Sequence, residues 1–169
     1  MKAKIVLAAL LLVALVNQSF TVLNQSIPVI IGREISIGNF KKLISNKNIN
    51  VVLVPSNNPV TVTVTGDEKY LNSIMVSIDN ETMTISSSKN LSGKKITVYI
   101  PVKDISYLEV SEDAHVSSQG SLVCPELSVI VSEGGFVELK NLGHIDINPR
   151  NCEFTYQKNE VSRIVFSSN

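Results

Sequence analysis

From residue 34 onward, short runs rich in Val, Ile and Thr alternate with polar positions and are broken by Asn, Gly, Ser, Asp or Pro. A two-residue period of this kind marks β-strands that bury one face. The stretch Val60-Thr-Val-Thr-Val-Thr65 alternates without interruption, and Met75 to Ile78, Met83 to Ile85 and Ile96 to Ile100 keep the same period. The segment Gly66-Asp-Glu-Lys-Tyr-Leu-Asn-Ser73 breaks it, and Asp67 is suited to cap a helix, so one helical turn is predicted there. Pro101, Pro125 and Pro149 fall at or just beyond strand ends, where a missing ladder donor is harmless.

A longer period lies over the alternation. Val110-Ser-Glu-Asp-Ala-His-Val116 returns 21 residues later as Val131-Ser-Glu-Gly-Gly-Phe-Val137, identical at four of seven positions. Apolar groups at Leu108 and Val110, Leu127 to Val131, Ile145 and Ile147, and Ile164 to Phe166 recur at about the same spacing. A second set, Val116, then Val137 and Leu139, then Cys152, Phe154 and Tyr156, follows the first three groups after a tight bend that shortens by one residue in the third. Self-similarity of this length is typical of stacked units that cannot bury their apolar face alone. The expected fold is therefore all-β: a short right-handed parallel β-helix-like stack over the C-terminal half, with additional N-terminal β-strands that extend or cover it. Stacking predicts an inward column of Val110, Val131 and Ile147, and beside it a polar column of Ser111, Ser132 and Asn148, explained by turn chemistry.

The N-terminus changes the picture of where the protein works. Met1-Lys-Ala-Lys4 precedes an apolar run from Ile5 to Val16, closed by Asn17, Gln18 and Ser19. That is the length of a signal-peptide core, and short of the roughly 20 residues a membrane-spanning helix needs. The organisation expected is a signal peptide at 1–20, a linker at 21–33 and one domain at 34–169, exported to the periplasm or cell surface. No Cys follows the apolar run, since the first is Cys124, so no lipid anchor and no transmembrane span after cleavage are expected. Export permits a disulfide, but Cys124 precedes Pro125 in a corner while Cys152 occupies an inward strand position. The reading favours two buried thiols and leaves their bonding open. With 15 acidic and 15 basic residues and no basic cluster interleaved with aromatics, nucleic acid is a poor partner.

Several of these segments together resemble a known family. Phe40-Lys-Lys-Leu, Asn50-Val-Val-Leu-Val, Val60-Thr-Val-Thr-Val-Thr-Gly66, Met83-Thr-Ile, Lys95-Ile-Thr-Val-Tyr-Ile-Pro101 and the Val-Ser-Glu repeats resemble the head GIN domain family of putative adhesins, over nearly the whole mature chain. The resemblance implies an exported bacterial protein of the Bacteroidetes type with a body of stacked strands. Two bends depart from the family's Gly- and Ser-rich pattern, reading Glu112-Asp-Ala114 and Asn148-Pro-Arg150, while Glu133-Gly-Gly135 stays close. No autotransporter barrel segment follows Phe166, so self-translocation is not expected.

Candidate chemistry is sparse. The repeat places Glu112 and Glu133 in one column with Asp113 beside them, a pattern that suits a retaining glycosidase pair or a Ca²⁺ site, or simply solvated acids with Arg150 falling in or beside Asp113's column. The last is preferred, because a bare acidic bend lacks the other groups of a site. His115 and His144 share no column and have no ligand at zinc spacing. His115 takes the place of Phe136 one coil earlier, which suggests an outward, solvated imidazole, and Phe136 itself is suited to stack on a sugar ring. Gly-x-Ser-x-Gly and glycine-rich phosphate loops are missing from the sequence. The expectation is a non-enzymatic envelope or surface binding module with no catalytic residue, no metal and no cofactor. Its candidate surface is Glu112, Asp113, His115, Glu133 and Phe136, presented to a glycan or an envelope protein. The alternatives are a carbohydrate-active enzyme using Glu112 and Glu133, or a structural scaffold forming homo-oligomers through its coil ends.

Overall fold

The computed structural model describes residues 31–150, 157–159 and 163–167. The segments expected as a signal peptide at 1–20 and, for the most part, as a linker, together with Cys152, Phe154 and Tyr156, lie outside the described residues. The expected class holds at the level of an all-β chain, which is built from two mixed sheets. Strands β1 (Ile31–Ser36), β3 (Asn50–Pro55), β4 (Thr61–Gly66), β7 (Ile96–Val102), β9 (His115–Leu122), β11 (Phe136–Asn141), β13 (Gln157–Asn159) and β14 (Arg163–Ser167) form one sheet. Strands β2 (Lys42–Ser45), β5 (Ile74–Asp79), β6 (Thr82–Ser87), β8 (Tyr107–Val110), β10 (Glu126–Val131) and β12 (His144–Pro149) form the other. The predicted helical turn is α1 (Glu68–Leu71), capped by the Asp67 carboxylate, which accepts from the Lys69 amide at 3.1 Å.

Pairs of successive strands pass from the six-stranded sheet to the eight-stranded one, so that β2–β3, β6–β7, β8–β9 and β10–β11 are two-strand units. Their parallel registers bring like residues side by side. Across the six-stranded sheet, Met83, Leu43, Leu108, Val129 and Ile147 are consecutive partners. Across the eight-stranded sheet, Val98, Val51, Val116 and Val137 are. All but Ile147 are buried within one apolar cluster shared by both sheets. Each such aliphatic contributes about 1.5–3 kcal/mol through the surface it removes from water, which is why alternation, rather than any single motif, specifies these strands.

The order of units in space is not their order in sequence. The β2–β3 unit lies between β6–β7 and β8–β9, because Leu43 pairs with both Met83 and Leu108, and Val51 with both Val98 and Val116. Antiparallel strands complete the sheets: β1 and β4 beside β7, β5 beside β6, and β14 and β13 beside β11.

Three expectations are corrected by these registers. Val110 does pair with Val131, but the next partner of Val131 is Pro149, and Ile147 pairs with Val129. The polar column therefore does not include Asn148, which pairs with Ile130; Arg150, whose amide donates to the Val131 carbonyl at 3.0 Å, follows Ser132 instead and does not sit over Asp113. The cause is a shorter return. β9 has eight residues to the six of β11, its ladder to β11 shifts between Glu138 and Lys140, and one residue fewer then links β11 to β12. Finally, Ile164 to Phe166 do not begin another parallel unit, since β14 runs antiparallel to β11 in the eight-stranded sheet.

The corner where β11 leaves its sheet is fixed by a residue that alternation alone does not explain. Asn141 is 1% exposed, and its side-chain oxygen accepts from the Cys124 amide at 2.9 Å while its NH₂ donates to the Cys124 carbonyl at 2.8 Å. One carboxamide thus replaces a missing strand partner for both backbone groups of Cys124. Cys124 is a free, buried thiol whose pKa is pushed up by burial.

Candidate functional site

The bends that join the two sheets are tight because each places two consecutive residues in the left-handed region: Lys47 and Asn48, Glu112 and Asp113, and Glu133 and Gly134. A left-handed conformation costs a non-glycine residue about 1–2 kcal/mol, and five of these six residues carry a side chain. Backbone bonds across the bends hold it in place: the Asn48 amide donates to Glu112 at 2.8 Å and the Asp113 amide to Glu133 at 3.0 Å. The Ala114 and Gly135 amides close their own bends onto Ser111 and Ser132 at 3.0 and 2.9 Å. Glycine at 134 takes the left-handed backbone without strain and leaves room for the Asp113 carboxylate, whose oxygen would lie 2.0 Å from a Cβ there and would have to move aside, so that the acid of one bend rests on the bare backbone of the next.

The first two of these bends line one wall of a cleft of about 550 Å³, through Lys47, Asn48, Glu112 and Asp113. The opposite wall is the β6–β7 loop, with Ser87, Ser88, Lys89, Asn90 and Ser92 facing the space and Leu91 anchored in the core. The loop is held in one shape by its own short bonds. Ser87 Oγ accepts from the Lys89 amide at 3.1 Å, Asn90 Oδ1 from the Ser92 amide at 2.8 Å, and the Leu91 carbonyl from the Lys94 amide at 2.8 Å. Ser88 is tied to the Ser73 carbonyl through its amide at 2.9 Å. Almost every group reaching the cleft is a hydroxyl, carboxamide, ammonium or carboxylate, with both donors and acceptors present.

The structure brings the sequence-predicted residues to two neighbouring places. Glu112 and Asp113 reach the cleft, and Glu133 occupies the next bend beyond it. His115 and Phe136 begin β9 and β11, pair directly in register, and lie in a column with Asn50. Their rings meet edge to face, with centroids 4.5 Å apart and planes at 83°. The expectation of a solvated imidazole at His115 is corrected: the ring is half-buried, Nε2 is enclosed without a hydrogen-bond partner, and burial lowers its pKa. Desolvation favours the neutral ring, which suits an edge-on contact with an aromatic.

Three features were not foreseen from sequence. Lys47 and Asn48 form the equivalent bend of the first unit, although Asn46-Lys-Asn48 shares no motif with Val-Ser-Glu. The loop that completes the cleft comes from a different unit. At its far side, Lys69, Lys89 and Lys94 surround the ring of Tyr70, with ammonium nitrogens 5.6, 5.8 and 5.4 Å from its centroid. At the other end of the six-stranded sheet, Lys41 and Asp104 form an ion pair. Among the described residues no group of three His, Cys, Asp or Glu side chains converges as metal ligands do, and no helix is long and apolar enough to cross a membrane.

Comparison with known proteins agrees with this architecture. Residues 39–148 match the family described as putative auto-transporter adhesin, head GIN domain. The fold is similar to that of a putative adhesin from Parabacteroides merdae, with a TM-score of 0.59 and 18% identity over 71% of this chain and 52% of that one. It is also similar to a putative adhesin from Bacteroides fragilis, with a TM-score of 0.54 and 19% identity over 70% and 52% of the two chains. A structure from Parabacteroides distasonis described as a putative lipid binding protein has a TM-score of 0.54 and 15% identity over 71% and 59%. The chain thus spans little more than half the length of these structures. No curated protein matches it.

Proposed function

This chain belongs to the putative auto-transporter adhesin, head GIN domain family, and we propose that it is an exported, non-enzymatic binding module of the cell envelope or surface. In this reading the two-strand units act as rungs of a β-helix-like stack, whose bends and outer face present polar side chains at fixed spacing. The observation that carries it is the cleft of about 550 Å³ between the bends and the β6–β7 loop, walled by hydroxyl, carboxamide and charged groups on backbone that cannot readily move. Sugar hydroxyls need this mixture of donors and acceptors, and a pre-formed site avoids the ordering cost of binding. Glu133, His115 and Phe136 extend the surface beyond the cleft, with the aromatic pair suited to lie against a sugar ring.

A screen of glycans and envelope polymers with the chain lacking residues 1–20 tests the proposal. Binding is expected to a polysaccharide, to weaken by about tenfold or more when exposed Ser92 at the cleft rim is replaced in Ser92→Trp, and to occur without release of new reducing ends. Retained affinity in Ser92→Trp would place the ligand elsewhere, and hydrolysis of the bound polymer would return the Glu112 and Glu133 enzyme reading.

A further inference from the structure

The charge distribution around the cleft narrows the ligand class. Lys69 from α1 and Lys89 and Lys94 from the β6–β7 loop gather on the ring of Tyr70, each ammonium within 6 Å of its centroid. Among the described residues no carboxylate lies within 4.0 Å of any of the three; Glu68 adjoins Lys69 in sequence without pairing with it, and Asp67 is engaged in capping α1. Three like charges gathered at one ring repel each other; the electron-rich ring face relieves part of this repulsion, and an anion would relieve the rest.

The cluster is tied to the fold through Lys89. Lys89 Nζ donates to the Lys69 carbonyl at 3.3 Å, which joins loop to helix, and the loop backbone is set by the bonds from Ser73, Ser87, Asn90 and Leu91 described above. Lys89 also lines the cleft, so patch and cleft are continuous. The remaining ammonium hydrogens are free to donate to several acceptor oxygens at once.

We propose that the cleft takes a polyanionic polysaccharide, one bearing carboxylate or sulfate groups, with Lys69, Lys89 and Lys94 holding an acidic substituent while the cleft holds the hydroxyls of the adjoining sugars. The inference rests on the glycan reading of the cleft. A polysaccharide fits better than an anionic membrane, because the basic groups border a polar cleft and the Tyr70 ring lies beneath the ammoniums rather than projecting past them.

The test uses the chain lacking residues 1–20, with polygalacturonate as the anionic probe and its fully methyl-esterified form as the uncharged counterpart. Polygalacturonate is expected to bind at least about tenfold more tightly than the ester, and more tightly at about 0.01 M than at about 0.15 M salt. Lys69→Gln/Lys89→Gln/Lys94→Gln should remove that preference, while Lys42→Gln/Lys140→Gln, on exposed strand positions away from the patch, should keep it. Circular dichroism melting of each variant shows that it is folded, and dextran sulfate provides a second anionic probe should the uronate stereochemistry not fit. Equal binding of acid and ester would overturn the proposal and leave the glycan reading standing, whereas failure of every polymer, neutral or charged, would overturn both. Binding to vesicles of phosphatidylcholine with phosphatidylglycerol that exceeds polymer binding and depends on the three lysines would overturn the proposal in favour of a membrane.

Discussion

Replacing Asn141 tests the idea that one buried carboxamide holds the corner between the two sheets. In Asn141→Ala, the Cys124 amide and carbonyl lose partners at 2.9 and 2.8 Å in a site where the side chain is 1% exposed. Each buried backbone group left unpaired costs about 1–3 kcal/mol. The neighbouring Val123 and Leu142 are exposed, so water can recover part of the loss, and the expected total is about 2–4 kcal/mol. Water has little room close to the chain itself, for a Cβ at Gly143 would already lie 2.0 Å from the Cys124 carbonyl oxygen. Asn141→Asp sharpens the test. Its carboxylate still accepts from the Cys124 amide but faces the Cys124 carbonyl without a donor, so its folded pKa should rise above the unfolded value near 3.9. Stability of that variant should therefore fall as pH rises through and beyond about 4, because the unfolded chain ionises first. Urea unfolding followed by circular dichroism measures both effects, with the m-value unchanged if only the native state is affected. A loss below about 1 kcal/mol in Asn141→Ala, or a pH-independent Asn141→Asp, would refute the reasoning.

Gly134→Ala should destabilise by about 1–2 kcal/mol from its left-handed backbone and displace the Asp113 carboxylate; thermal melts should show that Asp113→Ala in the same chain, which removes the carboxylate but keeps a non-glycine residue at that left-handed position, recovers the steric part but not the backbone part. His115 has a folded pKa below its unfolded value because of burial, so the unfolded chain takes up the proton first and stability should fall as pH drops below about 6.5. His115→Phe should flatten that slope in urea titrations over the same range. The Tyr107 hydroxyl is pushed up to about 12 by burial and by its 2.6 Å bond to the Glu109 carboxylate. It should therefore stay neutral in the folded chain while the unfolded one ionises near 10, and Tyr107→Phe should reduce the loss of stability seen between those two values. A maleimide added to native protein should leave Cys124 unmodified, as peptide mapping will show, until denaturant exposes its buried thiol.

Much of the fold was legible because two-residue alternation reports burial directly. The runs at Val60–Thr65, Met75–Ile78, Met83–Ile85 and Ile96–Ile100 became β4 to β7, and Asp67 capped the single turn it was expected to cap. The Val-Ser-Glu repeat also identified a true register, since Val110 and Val131 are paired. Alternation does not say which strand lies beside which. A Val-rich face packs as well against one neighbour as another, so the interposition of β2–β3 left no mark in the sequence. Register in the third unit failed because the spacing itself changes: paired residues lie 21 apart from β8 to β10 but 18 apart from β10 to β12, since the extra residues of β9 have no counterpart in β11. Of the candidate site, the acidic bend was visible as a repeat, but its partners were not. Lys47 and Asn48 come from a unit with no shared motif, and Lys89 and Lys94 reach Lys69 and Tyr70 only through tertiary structure. Asn141 was hidden because a buried carboxamide looks, in sequence, like any polar residue at a strand end.

The interposed β2–β3 unit also constrains how the polypeptide can assemble. A ribosome delivers residues 42–55 early, yet Leu53 finds its last lateral neighbour only at Ser118. This early unit is thus the middle of the finished wall, with both flanks arriving later: one edge is closed by β6 and β7, and the other must wait unsatisfied through more than sixty residues of further synthesis. Such deferred closure slows folding and rewards keeping the nascent chain apart from others until Ser118 has emerged. It also means that excising the repeat at 107–123 would uncover the centre of the protein rather than shorten one tip, a fragility that simple end-to-end tandem arrays do not share.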